Sequence, residues 1–235
     1  MGITKGISAG ISVPLAAPIT AAFPDVRPPA ADAPCFYTLY DGSSYSSTTE
    51  AAMIEGGDHT WACEAWLDST PTGVLMGLMG DTVPGTSGMQ LLYVESTKVL
   101  NYGGANGTAN SLYSMTGLLD QWVTIVGVHD RAGANVATVW VNATEGTNDP
   151  LTGASAASTT FRLGTGPDNT TRELYGRLRN VEIYSGVATN PGDWVPGNTS
   201  SMSGVTLKYQ STSGGEESDP SITWATTGTP VKTAC

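Results

Sequence analysis

A retaining glycosidase needs two carboxylates about 5–5.5 Å apart, and alternate positions of one β-strand put side chains on one face. Glu64 and Asp68 share that parity within HTWACEAWLD, residues 59–68. Glu216, Glu217 and Asp219 cluster in a Gly/Ser-rich stretch that reads as a solvated turn. The two histidines, His59 and His129, stand apart and lack the short spacing of metal-ligand pairs. No G-x-S-x-G elbow marks a serine nucleophile. The reading is therefore no catalytic residues and no enzyme. Binding chemistry is better provided for. A sugar is held by an aromatic face beside polar loop groups, and Tyr102, Tyr113 and Trp194 are the candidate exposed aromatics, with Trp61, Trp66, Trp122 and Trp140 assigned to core packing.

These residues must be positioned by strands. Charged residues make up only 13% of the 235-residue chain, and Gly, Ser and Thr abound where long surface helices would need Glu, Lys and Arg. The runs VLMGLMG (74–80), GMQLLYVES (88–96), KVLNYGG (98–104), QWVTIVGVHD (121–130), NVATVWVNA (135–143), FRLGTG (161–166), RELYGRLRNVEIYSG (172–186), VTLKYQ (205–210) and SITWATT (221–227) read as short strands between turn signals. In HTWACEAWLD, Trp61, Cys63, Ala65 and Leu67 alternate against Thr60, Ala62, Glu64 and Trp66. Two packed antiparallel sheets are the natural outcome.

The first 35 residues differ from the rest. Ile3, Ile7, Ile11, Leu15, Ile19 and Phe23 recur every fourth position, and Gly2, Gly6, Gly10, Pro14 and Pro18 each precede one. A helix is penalised by every one of those glycines and prolines. An extended chain also places every fourth residue on one side, about 13 Å apart. The segment reads as an extended arm, followed by a Pro/Ala-rich spacer over 24–34. Side-chain burial alone does not offset the entropy of ordering such an arm. It needs backbone hydrogen bonds as well, as in strand addition to a sheet edge of a neighbouring subunit or of its own domain. A secretion signal is disfavoured, because Pro14 and Pro18 interrupt the apolar stretch. The expected domains are 1–35, an anchoring arm and spacer, and 36–235, a β-sandwich.

With 10 Lys and Arg against 21 Asp and Glu, the formal net charge is −11. That excludes the basic footprint of a nucleic-acid binder and disfavours an anionic membrane surface. No apolar run is long enough for a membrane span. Cys35, Cys63 and Cys235 form no C-x-x-C pair, and Cys63 sits in an apolar run as a small buried hydrophobe. The strings beginning at Asn106, Asn142, Asn169 and Asn198 match N-x-[ST], as expected by chance in a chain of this composition.

The order of the strand segments resembles the concanavalin A-like lectin/glucanase superfamily, and within it the laminin-G-like domains. TLYDGSSYSS resembles their opening strand and turn, and HTWACEAWLD the next. QWVTIVGVHDRAGANVATVWVN is similar to the paired central strands. FRLGTG and LYGRLRNVEIYSG resemble the late Leu-x-x-Gly and closing strands. The resemblance implies an antiparallel two-sheet jelly roll. Its glucanase relatives carry a Glu-x-Asp-x-(x)-Glu string that is missing here. Calcium is a common ligand in the family, so Asp81, Asp130 and Asp149, in expected loops with Asn148, become metal candidates by that implication. Arg179 and Asn180 replace acidic residues frequent in relatives. The Asn-Gly turn of relatives becomes a longer loop, Asn142-Ala143-Thr144-Glu145-Gly146.

A short anchor followed by a lectin-like head resembles the layout of phage decoration proteins and fibres. The expectation is a non-catalytic virion protein whose arm docks on a major capsid or other virion protein and on copies of itself. The head would be displayed at the virion surface, able to bind host-surface glycans, in a homo-oligomer. The competing expectation is an extracellular carbohydrate-binding module or adhesin, with a glycoside hydrolase behind it.

Overall fold

The computed structural model describes residues 36–49, 57–82, 88–104, 110–150, 160–166, 172–198, 200–211 and 223–234. The arm residues Ile3, Ile7, Ile11, Leu15, Ile19 and Phe23, the cysteines Cys35 and Cys235 and the 216–219 acidic cluster lie outside them.

The described residues form sixteen strands: β1 (Phe36–Asp41), β2 (Tyr45–Thr48), β3 (His59–Leu67), β4 (Leu75–Thr82), β5 (Met89–Val94), β6 (Val99–Gly104), β7 (Asn110–Ser114), β8 (Trp122–Asp130), β9 (Val136–Val141), β10 (Thr144–Glu145), β11 (Asp149–Pro150), β12 (Thr160–Leu163), β13 (Tyr175–Ser185), β14 (Thr206–Gln210), β15 (Ala225–Thr227) and β16 (Val231–Ala234). They make two antiparallel sheets. The first runs β10-β9-β8-β3-β13-β1-β16, with β11 also on β9 and β14 also on β13; the second runs β15-β2-β12-β4-β5-β6-β7. This is the two-sheet sandwich expected from the sequence. Among the described residues there are two short 3-10 turns and no α-helix. No helix there is long and apolar enough to cross a membrane.

The chain changes sheets between β1 and β2 through the Asp41-Gly42-Ser43-Ser44 turn. Asp41 Oδ1 accepts from the Ser43 backbone N–H at 3.0 Å, from Ser43 Oγ at 2.8 Å and from Ser44 Oγ at 3.1 Å. Gly42 has φ +80°, and a Cβ there would land 1.9 Å from the Tyr175 ring. Aspartate, glycine and two serines are thus each required by the corner.

Period-two alternation places the core. Trp61, Cys63, Ala65 and Leu67 of β3 all point between the sheets and are buried. Trp61 meets Phe161 and Tyr102 edge-on, with ring centroids 5.3 and 5.7 Å away. A fully buried side chain of this kind contributes about 1.5–3 kcal/mol. Gly127 of β8 faces the Tyr102 ring, where a Cβ would come within 2.8 Å. Cys63 is free and buried, and that burial pushes its thiol pKa up.

Some elements depart from the sequence reading. Strands β7, β10, β11 and β16 were not expected; they are short, polar or at sheet edges, and periodicity does not mark them. Asn142 and Ala143 have φ 48° and 62° and make a two-residue hairpin turn rather than a longer loop. That turn pairs Glu145 of β10 directly with Trp140 of β9, the geometry that positive φ at both central residues produces.

Candidate functional site

The outer face of the first sheet carries the features that alternation leaves out of the core. Strand β13 controls it through a bulge. Leu178 points into the core before the bulge and Val181 and Ile183 after it, so parity switches between Arg179 and Glu182. Asn180, at φ 48°, sits at the switch. The outer side therefore presents Arg177 and Arg179 on one side of the bulge and Glu182 and Tyr184 on the other.

Beyond β13, residues 186–205 fold back over the outer face as a strap. Ala188, Trp194 and Met202 close over Ala62, Val126, Val128 and Tyr184, forming a second apolar cluster. Glu182 lies at its centre, fully buried. Its carboxylate accepts from Trp194 Nε1 at 2.7 Å, from the Gly197 backbone N–H at 2.9 Å, from Gln210 Nε2 at 3.0 Å and from the Tyr184 hydroxyl. A buried carboxylate surrounded by donors is satisfied in place. Glu182 thus pins the far part of the strap, and Thr60 Oγ1, donating to the Gly186 carbonyl at 3.0 Å and accepting from the Ala188 N–H at 3.2 Å, holds its start.

Between the start of the strap and strands β8 and β9 lies a groove of about 380 Å³. Half-buried Trp140 lines it, its six-membered ring backed by Gly192, with Thr138 and Val136 beside it on β9 and Val187, Ala188, Thr189 and Pro191 opposite. Two carboxylates line the ends. Asp130 is held in the β8–β9 turn, Oδ1 accepting from the Gly133 N–H at 2.8 Å and Oδ2 from the Ala134 N–H at 3.2 Å. Exposed Glu145 accepts from Asn148 Nδ2 at 2.9 Å. The groove therefore combines an aromatic surface, threonine hydroxyls and carboxylate acceptors, the set that holds a polyhydroxylated ligand.

A second outer-face cluster serves structure. Trp66 and Trp122 are cross-strand neighbours with centroids 6.1 Å apart. Arg177 lies 4.7 Å over Trp66 and Arg179 4.1 Å over Trp122. Arg179 also makes a two-pronged pair with Glu64 at 2.9 and 3.0 Å. The guanidinium groups occupy the ring faces a sugar would need.

The interior end of the sandwich holds a polar group of its own. His59 and His129 are directly paired across β3 and β8, with ring centroids 5.0 Å apart and both side chains buried. His59 Nδ1 donates to the Gly57 carbonyl at 3.0 Å. Burial, then the neighbouring His129, push its pKa down to about 3. Burial also lowers that of His129. Buried Asp81 accepts from the Met89 N–H, and burial pushes its carboxyl up to about 7.

The expected site residues are dispersed. Tyr102 is in the core, on the inward parity of β6, and is not an exposed face. Tyr113 is half-buried against the same core. Trp194 is buried because the strap aims its indole at Glu182. Conversely Trp66, Trp122 and Trp140, assigned to the core from sequence, stand on the outer face. Their signal was present: each alternates with buried neighbours such as Leu67, Val123 and Val139. The expected calcium residues are not loop groups at one place. Asp81 is a buried strand residue, Asp130 closes a turn, and Asp149 belongs to β11. Among the described residues no group of three or more His, Cys, Asp or Glu is placed to share a metal ion. Glu64 is tied to Arg179 and Asn180 rather than paired with Asp68.

The concanavalin A-like lectin/glucanases superfamily matches residues 41–191. Similar solved structures include a candidate carbohydrate-binding protein from Bacteroides ovatus, with TM-score 0.58, 12% identity and coverage of 86% of this chain and 60% of that one. The botulinum neurotoxin serotype D binding domain gives TM-score 0.50 and 10% identity, covering 66% of this chain and 40% of that one. A heptameric SAP-like pentraxin from Limulus polyphemus gives TM-score 0.46 and 12% identity, covering 66% and 77%. No curated protein matches. At these identities the first two likenesses bear on the fold alone.

Proposed function

We propose that this chain, which belongs to the concanavalin A-like lectin/glucanases superfamily, is a non-catalytic saccharide-binding protein that uses the Trp140 groove. The observation that carries this reading is the placement of Trp140 on the outer face between threonine hydroxyls and the cross-strand Glu145. An indole face packs on the C–H face of a pyranose while acceptors and hydroxyls bind its OH groups. The experiment is a glycan array followed by calorimetry with Trp140→Ala. Affinity is expected to fall about tenfold, roughly 1.4 kcal/mol, with the fold intact by circular dichroism. Unchanged affinity removes the groove from the account.

The finer reading concerns display. Residues 1–35 act as a tether, docking the sandwich on a virion shell protein or on neighbouring copies, with the head at the particle surface. The support is the fourfold apolar period of residues 3–23 and the Pro-rich spacer behind it. Deletion of residues 2–23 is expected to abolish co-sedimentation with particles while the head keeps its melting transition. Undiminished incorporation contradicts the tether. Calcium remains a proposal for the same head: a titration followed by melting temperature tests it, a saturable rise supporting binding and a flat response opposing it.

A further inference from the structure

We infer that the Trp140 groove takes uncharged hexose chains and turns away sialylated, uronic or sulfated ones; this rests on the saccharide reading above. The groove is open, with two carboxylates, Asp130 and Glu145, among its lining residues and no Lys or Arg among the described ones. An anionic sugar needs a cation or a cluster of free N–H donors to replace its water. Here the backbone N–H groups nearest Asp130, those of Gly133 and Ala134, already donate to it. The nearest cation in sequence, Arg131, is not among the lining residues. Its charge is also felt by His59, His129 and Asp81 within the sandwich. The whole chain adds a repulsive background with its net charge of −11.

The two carboxylates do not select against a neutral sugar. Asp130 is locked by the turn, and Glu145 is exposed and held by Asn148 alone among the described bonds. Each keeps acceptor lone pairs for sugar hydroxyls. Glu145 stands directly across from Trp140. Its charge thus stands beside the ring on which a pyranose would stack.

The test uses the full chain in calorimetric titrations with matched oligosaccharides at low and physiological salt. One series ends in galactose or glucose; the other carries terminal sialic or glucuronic acid on the same core. The inference expects binding of the neutral series and at least tenfold weaker binding of the acidic series, the gap shrinking as salt rises. Glu145→Gln, at an exposed position, is expected to narrow that gap about fivefold by removing one like charge near the ring. Equal or tighter binding of the acidic series overturns this inference and leaves the saccharide reading standing. Failure of both series overturns the saccharide reading itself. A gap that Glu145→Gln leaves untouched overturns the assignment of the discrimination to this residue.

Discussion

Glu182→Ala is expected to destabilise the sandwich by about 4 kcal/mol, because four donors gathered at a buried position lose their shared acceptor. The Trp194 indole, the Gly197 N–H, the Gln210 amide and the Tyr184 hydroxyl all lose their acceptor. In a domain of this size the loss is roughly 10 °C in melting temperature. Glu182→Gln keeps one carbonyl acceptor and is expected to lose about half as much. The change also reaches the groove, since Val187, Ala188, Thr189 and Pro191 of the strap form one of its walls. Saccharide affinity should therefore fall in Glu182→Ala although residue 182 does not line the groove. Denaturant titration of both variants checks this. A loss below about 1 kcal/mol for the alanine variant would mean that the packing of Trp194, Met202 and Ala188 and the Thr60 hydrogen bonds hold the strap without Glu182.

The buried ionisable groups should give stability an unusual dependence on pH. His59 has its pKa depressed to about 3 by burial and by His129. The unfolded chain binds that proton near 6.5. Its contribution is therefore complete above pH 6.5 and is lost as pH falls towards 3; a shift of this size corresponds to several kcal/mol. His129 acts in the same direction. Asp81 acts oppositely. Burial raises its pKa to about 7, so its contribution is complete below pH 3.8 and is lost as pH rises through 7. Between pH 4 and 6.5 Asp81 offsets one of the two histidines, and below pH 4 the histidines act alone. The surrounding charges, Arg131, Asp58 and Asp130, modulate the histidine values without reversing them. Melting temperature is expected to fall gently from pH 6.5 to 4, where Asp81 opposes the histidines, and more steeply between pH 4 and 3. Asp81→Asn keeps an acceptor for the Met89 N–H and removes the ionisation. It should be more stable than the parent at pH 8, by up to about 4 kcal/mol, and equal to it at pH 4. A variant less stable at pH 8 would show that the carboxylate is stabilised by its surroundings.

The sandwich was legible in the sequence because its signals are local. Alternation in HTWACEAWLD and the β-branched runs around Ile125 and Val139 correspond directly to β3, β8 and β9. The Asp-Gly-Ser-Ser corner was legible through the family resemblance of TLYDGSSYSS. The site was harder to read, because it depends on what lies over the sheet. Glu182 follows Val181 at the parity of a solvated residue, and only the strap, folding back from 186–205, buries it. The bulge that re-aims β13 has no period of its own. The tryptophans were misassigned where residue size outweighed parity: Trp66, Trp122 and Trp140 occupy outward positions, and alternation alone would have placed them there. Trp194 is the converse, a loop aromatic buried by a partner twelve residues earlier in the chain.

The central claim is that the Trp140 face is where a saccharide stacks. The direct measurement is the indole N–H spectrum of the full chain, assigned by single Trp→Phe variants and titrated with a neutral oligosaccharide identified on the array. The account predicts a saturable shift of the Trp140 signal, with the core Trp61 signal unmoved. A saturating ligand that leaves Trp140 unmoved and shifts a different tryptophan contradicts it.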